Sequence, residues 1–110
     1  MFNLSHKDSG CLLNILEAID KIFNYTNKFK DADELNSDTI SFDATMMNFI
    51  VIGEMASKIT NELRKSTEVN IDWYKIKGFR NIIAHNYFGI DAEEVWQIIH
   101  GDLNKLRKEI

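Results

Sequence analysis

Asp72-Trp73-Tyr74-Lys75-Ile76-Lys77-Gly78-Phe79-Arg80-Asn81-Ile82-Ile83-Ala84-His85-Asn86-Tyr87 is the stretch on which the fold turns. Trp73, Ile76, Phe79 and Ile83 recur at intervals of three and four, the spacing that gathers apolar side chains on one side of an α-helix. Asp72 stands just ahead of them, where an N-cap carboxylate accepts a hydrogen bond from a first-turn N–H. The pattern predicts a helix that starts near residue 72 and ends between residues 85 and 89.

The same period extends in both directions. Downstream, Asp91 followed three residues later by Glu94 has the form of a capping box, and Val95, Ile98, Ile99, Leu103 and Leu106 carry a helical stripe to the chain end. Upstream, residues 41–65 read as one long helix with Phe42, Met46, Phe49, Gly53, Ala56 and Leu63 in register, widened by Ile52 and Ile59. Gly53 inside that helix costs roughly 1 kcal/mol against alanine, a cost that close approach of another backbone would offset. A first helix covers residues 7–29, with Leu12, Ile15, Leu16, Ile19, Ile22, Phe23 and Thr26 on its apolar face. Residues 30–38 read as a polar connection with room for one short turn of helix at 31–35, and residues 66–70 as a short polar loop. Four amphipathic helices with short connections predict an all-α antiparallel bundle, one domain over residues 1–110.

Composition agrees. Proline is absent and glycine occurs five times, which argues against a turn-rich sandwich or barrel. A hydrophobic fraction of 45% argues against disorder. At 110 residues the core is small enough that dimerisation would help it. The net charge of −4 gives no global attraction for polyanions, so any nucleic-acid contact needs a local basic patch. Cys11 is the single cysteine and can close no intrachain disulfide or CxxC site. The longest wholly apolar run is four residues, 49–52, and the first ten residues have no signal-like apolar stretch. These features predict a cytoplasmic protein with no membrane span.

The chain has no GxGxxG, Walker loop or HExxH, and His6, His85 and His100 are too far apart for a short-spaced metal site. What remains is Arg80 to Tyr87. Arginine can hold a phosphate with two parallel N–H donors, and histidine titrates near neutral pH and can move a proton at a ribose hydroxyl. On a regular helix Arg80 and His85 diverge by ~140°, so both reach one phosphate only if the helix bends or a second copy completes the site. An arginine and a histidine near a helix end also fit a C-terminal cap and a surface salt bridge.

Arg80-x4-His85-x-Tyr87 resembles the RX4HXY motif of the HepT group of HEPN-domain ribonucleases, toxins paired with MntA-type nucleotidyltransferase antitoxins. Ile52-Gly53-Glu54-Met55-Ala56, the approach Asp72 to Ile76 with Gly78 to Asn81, and Ile90-Asp91, Val95-Trp96 and Asp102-Leu103 resemble that group along nearly the whole chain. Asn104 departs from it, standing where proline is expected. The resemblance implies a four-helix HEPN bundle forming a two-fold homodimer, with the site assembled from both copies. It implies a metal-independent endoribonuclease toxin of a type VII-like toxin–antitoxin pair, needing no cofactor and cutting RNA, with tRNA one class of target. Arg80 and His85 would be catalytic, Asn81 and Glu54 supporting, and Tyr87 the site of AMPylation by the partner transferase. Lys75 and Lys77 would add to an RNA-binding patch; a solvated helix face fits them equally. The alternative reading is a non-catalytic HEPN-like substrate-binding or scaffolding partner of a nucleotidyltransferase.

Overall fold

The structure, a computed structural model, describes residues 4–86 and 89–110, and for residues 82 and 84–86 it describes the backbone alone. The described elements are all helical: α1 (His6–Thr26), α2 (Ala32–Ser37), α3 (Thr39–Lys58), α4 (Asn61–Thr67), α5 (Trp73–Asn86), α6 (Ala92–Ile98) and α7 (Asn104–Glu109), with a π-helical turn, Ile99–Leu103, joining the last two. Each of α1 to α6 opens on a side chain that accepts from a first-turn N–H: Ser5, Asp31, Asp38, Thr60, Asp72 and Asp91 in turn. Such caps satisfy donors that the helix leaves open at its start, each contributing about 1 kcal/mol. In the Asp91 cap the donor is the Glu93 N–H, at 2.9 Å.

The central element is α3, with α1 packed on one side and α5 on the other. Asp8 meets Thr60 and Asn14 meets Met55, so α1 and α3 run antiparallel. Lys75 lies against Asp102 while Ile83 shares a cleft with Val95, so α5 runs antiparallel to the rod formed by α6, the π turn and α7. The buried faces are those the periods predict: Ile15, Ile19 and Ile22 from α1, Met46, Phe49, Ile52 and Ala56 from α3, and Trp73, Ile76, Phe79 and Ile83 from α5. Phe49 and Phe79 meet edge to face, their centroids 5.6 Å apart, which fixes α5 on α3 at mid-height. The result is a helical bundle of the expected class, with α2 lying across α3 and α6.

Three boundaries differ from expectation. The helix read over residues 41–65 is two, broken at Ile59 and Thr60. Ile59 turns extended (φ −66°, ψ 153°), and the Thr60 N–H and hydroxyl both donate to the carboxylate of Asp8, at 2.8 and 2.6 Å. A backbone N–H taken by a side chain from another helix cannot also serve the i−4 carbonyl of α3, so the helix ends there and Thr60 caps the next. The first helix stops at Thr26, three residues before Phe29, whose N–H closes a turn on the Thr26 carbonyl. The last rod is helical throughout but widens into the π turn, where the Asn104 side-chain Nδ2 donates to the His100 carbonyl at 2.8 Å.

Candidate active site

The close approach anticipated at Gly53 is present, and its neighbour is Arg80. A Cβ built on Gly53 would lie 2.7 Å from the Arg80 Cβ and 2.9 Å from the Arg80 backbone N. Ordinary carbon–carbon contact begins near 3.5 Å, so α3 and α5 touch here at a distance that a side chain at residue 53 would forbid.

One residue further along α3, the Glu54 carboxylate accepts a hydrogen bond from Arg80 Nη1 at 2.6 Å. The two side chains are 39% and 44% exposed. A salt bridge this open contributes at most about 1 kcal/mol to stability, so its effect is on geometry: it fixes the direction of the guanidinium while leaving that group open to solvent. A guanidinium carries five donors in a planar fork, and one held at a single nitrogen can still meet two phosphate oxygens.

Around this pair the other expected residues separate. Lys77 and Asn81 are exposed on α5. Lys77 precedes Arg80 by three residues, about 60° away on a helix, while Asn81 is about 100° away. Lys75 turns elsewhere: its Nζ pairs with Asp102 at 3.2 Å, across the cleft between α5 and the last rod. The structure therefore places Lys77, not Lys75, beside Arg80. His85 belongs to α5, which stays helical through Asn86, and its side chain lies outside what is described. The motif tyrosine, Tyr87, lies outside the described residues.

Reading from sequence passed over one polar group of structural weight, Asp8. It is 2% exposed and binds Thr60 from a position 52 residues away in sequence. An aspartate in the first turn of an amphipathic helix looks like an ordinary dipole-complementing residue, and nothing local marks it as buried.

Comparison with known proteins bears on what this site does. The profile of the family described as Ribonuclease HepT-like matches residues 15–110. A Methanocaldococcus jannaschii protein provisionally named an RNase is 32% identical over 90% of this chain and 89% of its own length. A Thermococcus cleftensis protein provisionally named ribonuclease HepT is 30% identical over 94% of this chain and 90% of its own. A second M. jannaschii protein, whose name joins gamma-glutamylcyclotransferase to a provisional RNase, is 33% identical over 94% of this chain but 46% of its own length. No solved structure matches.

Proposed function

This chain belongs to the HepT-like ribonuclease family, an endoribonuclease by that membership, and we propose that it is a toxin that cuts RNA without a metal ion at a site shared across a homodimer. The observation that carries the reading is the half-exposed guanidinium of Arg80, which stands on the same helix as His85 and is held by Glu54 from α3. Because α5 runs to Asn86, positions 80 and 85 of one copy lie ~140° apart around the helix axis. A second copy across a two-fold axis supplies the missing partner.

In the reaction we derive from this set, Arg80 binds the non-bridging oxygens of the scissile phosphate and stabilises the charge that develops there. A His85 imidazole takes the proton of the 2′-hydroxyl as its oxygen bonds to phosphorus. The bond from phosphorus to the 5′ oxygen breaks, and that oxygen takes a proton from an imidazolium, leaving a 2′,3′-cyclic phosphate and a 5′-hydroxyl. Asn81 orients the substrate, and Lys77 adds charge beside Arg80. Lys75 reaches RNA by releasing Asp102. Transfer RNA is one class of target.

The partner is an MntA-type nucleotidyltransferase that adds AMP to the Tyr87 phenol. Tyr87 is seven residues from Arg80, nearly two helical turns and close to the same side if the helix period continues. An added phosphate there occupies the arginine and repels the RNA backbone. Expression alone should arrest growth, and co-expression with the transferase should relieve the arrest and add AMP increments to the intact mass at Tyr87. Purified protein should cut RNA equally well in excess EDTA. Growth that is never arrested, or AMP mapped to Tyr25 or Tyr74, would overturn the toxin reading or the switch respectively.

A further inference from the structure

We propose that Gly53 is a positioning residue for RNA cleavage, acting with Glu54 to seat Arg80. The inference rests on the reading of Arg80 as the phosphate-binding group.

A helix-interior glycine often serves only to let two helices pack, and then the atoms it makes room for belong to whatever core side chain lies opposite. At Gly53 they do not. The three atoms nearest an added Cβ are the Cβ, backbone N and Cα of Arg80, at 2.7, 2.9 and 3.3 Å. Gly10, Gly78, Gly89 and Gly101 would place a Cβ in open space, with nothing within 4 Å. The adjacent residue, Glu54, binds the guanidinium end of the same arginine at 2.6 Å. Consecutive residues of α3 thus hold Arg80 at both ends: Gly53 sets how near its backbone lies, and Glu54 sets where its charge points. The two constraints are coupled, because the carboxylate and the space for the backbone sit on one rigid turn of α3.

A methyl group at residue 53 must push the Arg80 backbone away by roughly 0.7 Å to reach ordinary contact. The bond to Glu54 then lengthens or the guanidinium turns with it. Misplacing a catalytic group by about 1 Å can cost on the order of 100-fold in rate. Binding of RNA draws on the whole surface and should change little, so the loss belongs in kcat.

The test compares Gly53→Ala, Glu54→Gln and Arg80→Ala with wild type on a short RNA that the wild-type protein cuts, with Gly10→Ala as the control for adding a methyl to a helical glycine. Gly53→Ala should lose about 10- to 100-fold in kcat with KM within about 3-fold. Circular dichroism should stay native, and the ¹⁵N guanidinium resonance of Arg80 should shift toward that of Glu54→Gln. A folded Gly53→Ala that keeps wild-type kcat, or an unmoved Arg80 resonance, overturns the proposal. If Gly53→Ala does not fold, Glu54→Gln decides: kcat lost with KM held supports the seat, and wild-type kcat overturns it. An Arg80→Ala protein that cuts at the wild-type rate would instead overturn the reading of the site itself, whatever Gly53→Ala does.

Discussion

Arg80 is the residue at which sequence and geometry meet most closely. Its spacing from His85 and Tyr87 is legible in the motif, and the glycine inside α3, near the C-terminal end of that helix, signals a close approach without naming its partner. What spacing could not show was direction. Lys75 and Lys77 sit two residues apart in sequence, yet one pairs with Asp102 and the other lies beside Arg80. Side chains two apart on a helix project to different sides, and only the packed neighbours decide which side faces a partner. The exposure of Arg80 gives a prediction at this scale. Arg80→Ala removes a half-exposed side chain whose ion pair adds little stability, so helicity and melting temperature should stay near wild type. Cleavage should fall by ~100–1,000-fold, as when one donor to a developing oxyanion is lost. His85→Ala should do the same to turnover. Rates measured on purified, folded variants check both, and wild-type turnover in either would remove that residue from the site.

At the scale of elements, the periods located the helices and the caps located their starts, but two interruptions escaped them. The π turn keeps Val95, Ile99, Leu103 and Leu106 on the buried side, as an uninterrupted helix also would, so the apolar pattern cannot tell the two apart. The break between α3 and α4 depends on Asp8, which comes from the far end of another helix. Burial alone would raise the Asp8 carboxyl. Hydrogen bonds from the Thr60 hydroxyl and N–H and from Ser5, with the charge of Lys7, outweigh that and hold it below its ordinary value. A carboxyl whose folded pKa is lowered stabilises the fold fully above the unfolded pKa, and that contribution is lost as pH falls through the folded value. Asp8→Asn should therefore cost about 1.5–3 kcal/mol at pH 7, the range for hydrogen bonds to a charged group. The gap between variant and wild type should begin to narrow below about pH 4, near the unfolded pKa, and close as pH falls through the lowered folded value of the wild-type carboxyl. Urea midpoints of both proteins from pH 7 to pH 3 measure this, and a gap that persists unchanged at low pH would mean that the charge of Asp8 is not what anchors the break.

For the whole molecule, the proposed site needs an arginine and a histidine at one phosphate, although positions 80 and 85 lie ~140° apart around α5. The surface of α3 offers a route. Ile40 is 82% exposed and Met47 60%, and each lies seven residues from the next in the series Ile40, Met47, Glu54. Seven residues is nearly two turns, so these two exposed apolar side chains share one side of α3 with the carboxylate that holds Arg80. Exposed apolar residues beside a polar site suit a surface that a second copy covers, and in the proposed dimer a two-fold interface there would bring each α5 near its counterpart. If the dimer pairs Arg80 of one copy with His85 of the other, two inactive variants should complement each other. In a mixed dimer of Arg80→Ala and His85→Ala chains, one of the two sites lacks both groups, while the other has the intact arginine and the intact histidine. Random mixing makes half the dimers mixed, so unfolding and refolding an equal mixture should recover about a quarter of wild-type activity. Neither variant refolded alone should recover any. Were both groups drawn from the same chain, every site would carry a lesion and the mixture would stay as inactive as its parts. Light scattering on the same samples separates the two explanations of a null result, because a dimer without complementation argues against the shared site and a monomer argues against the interface.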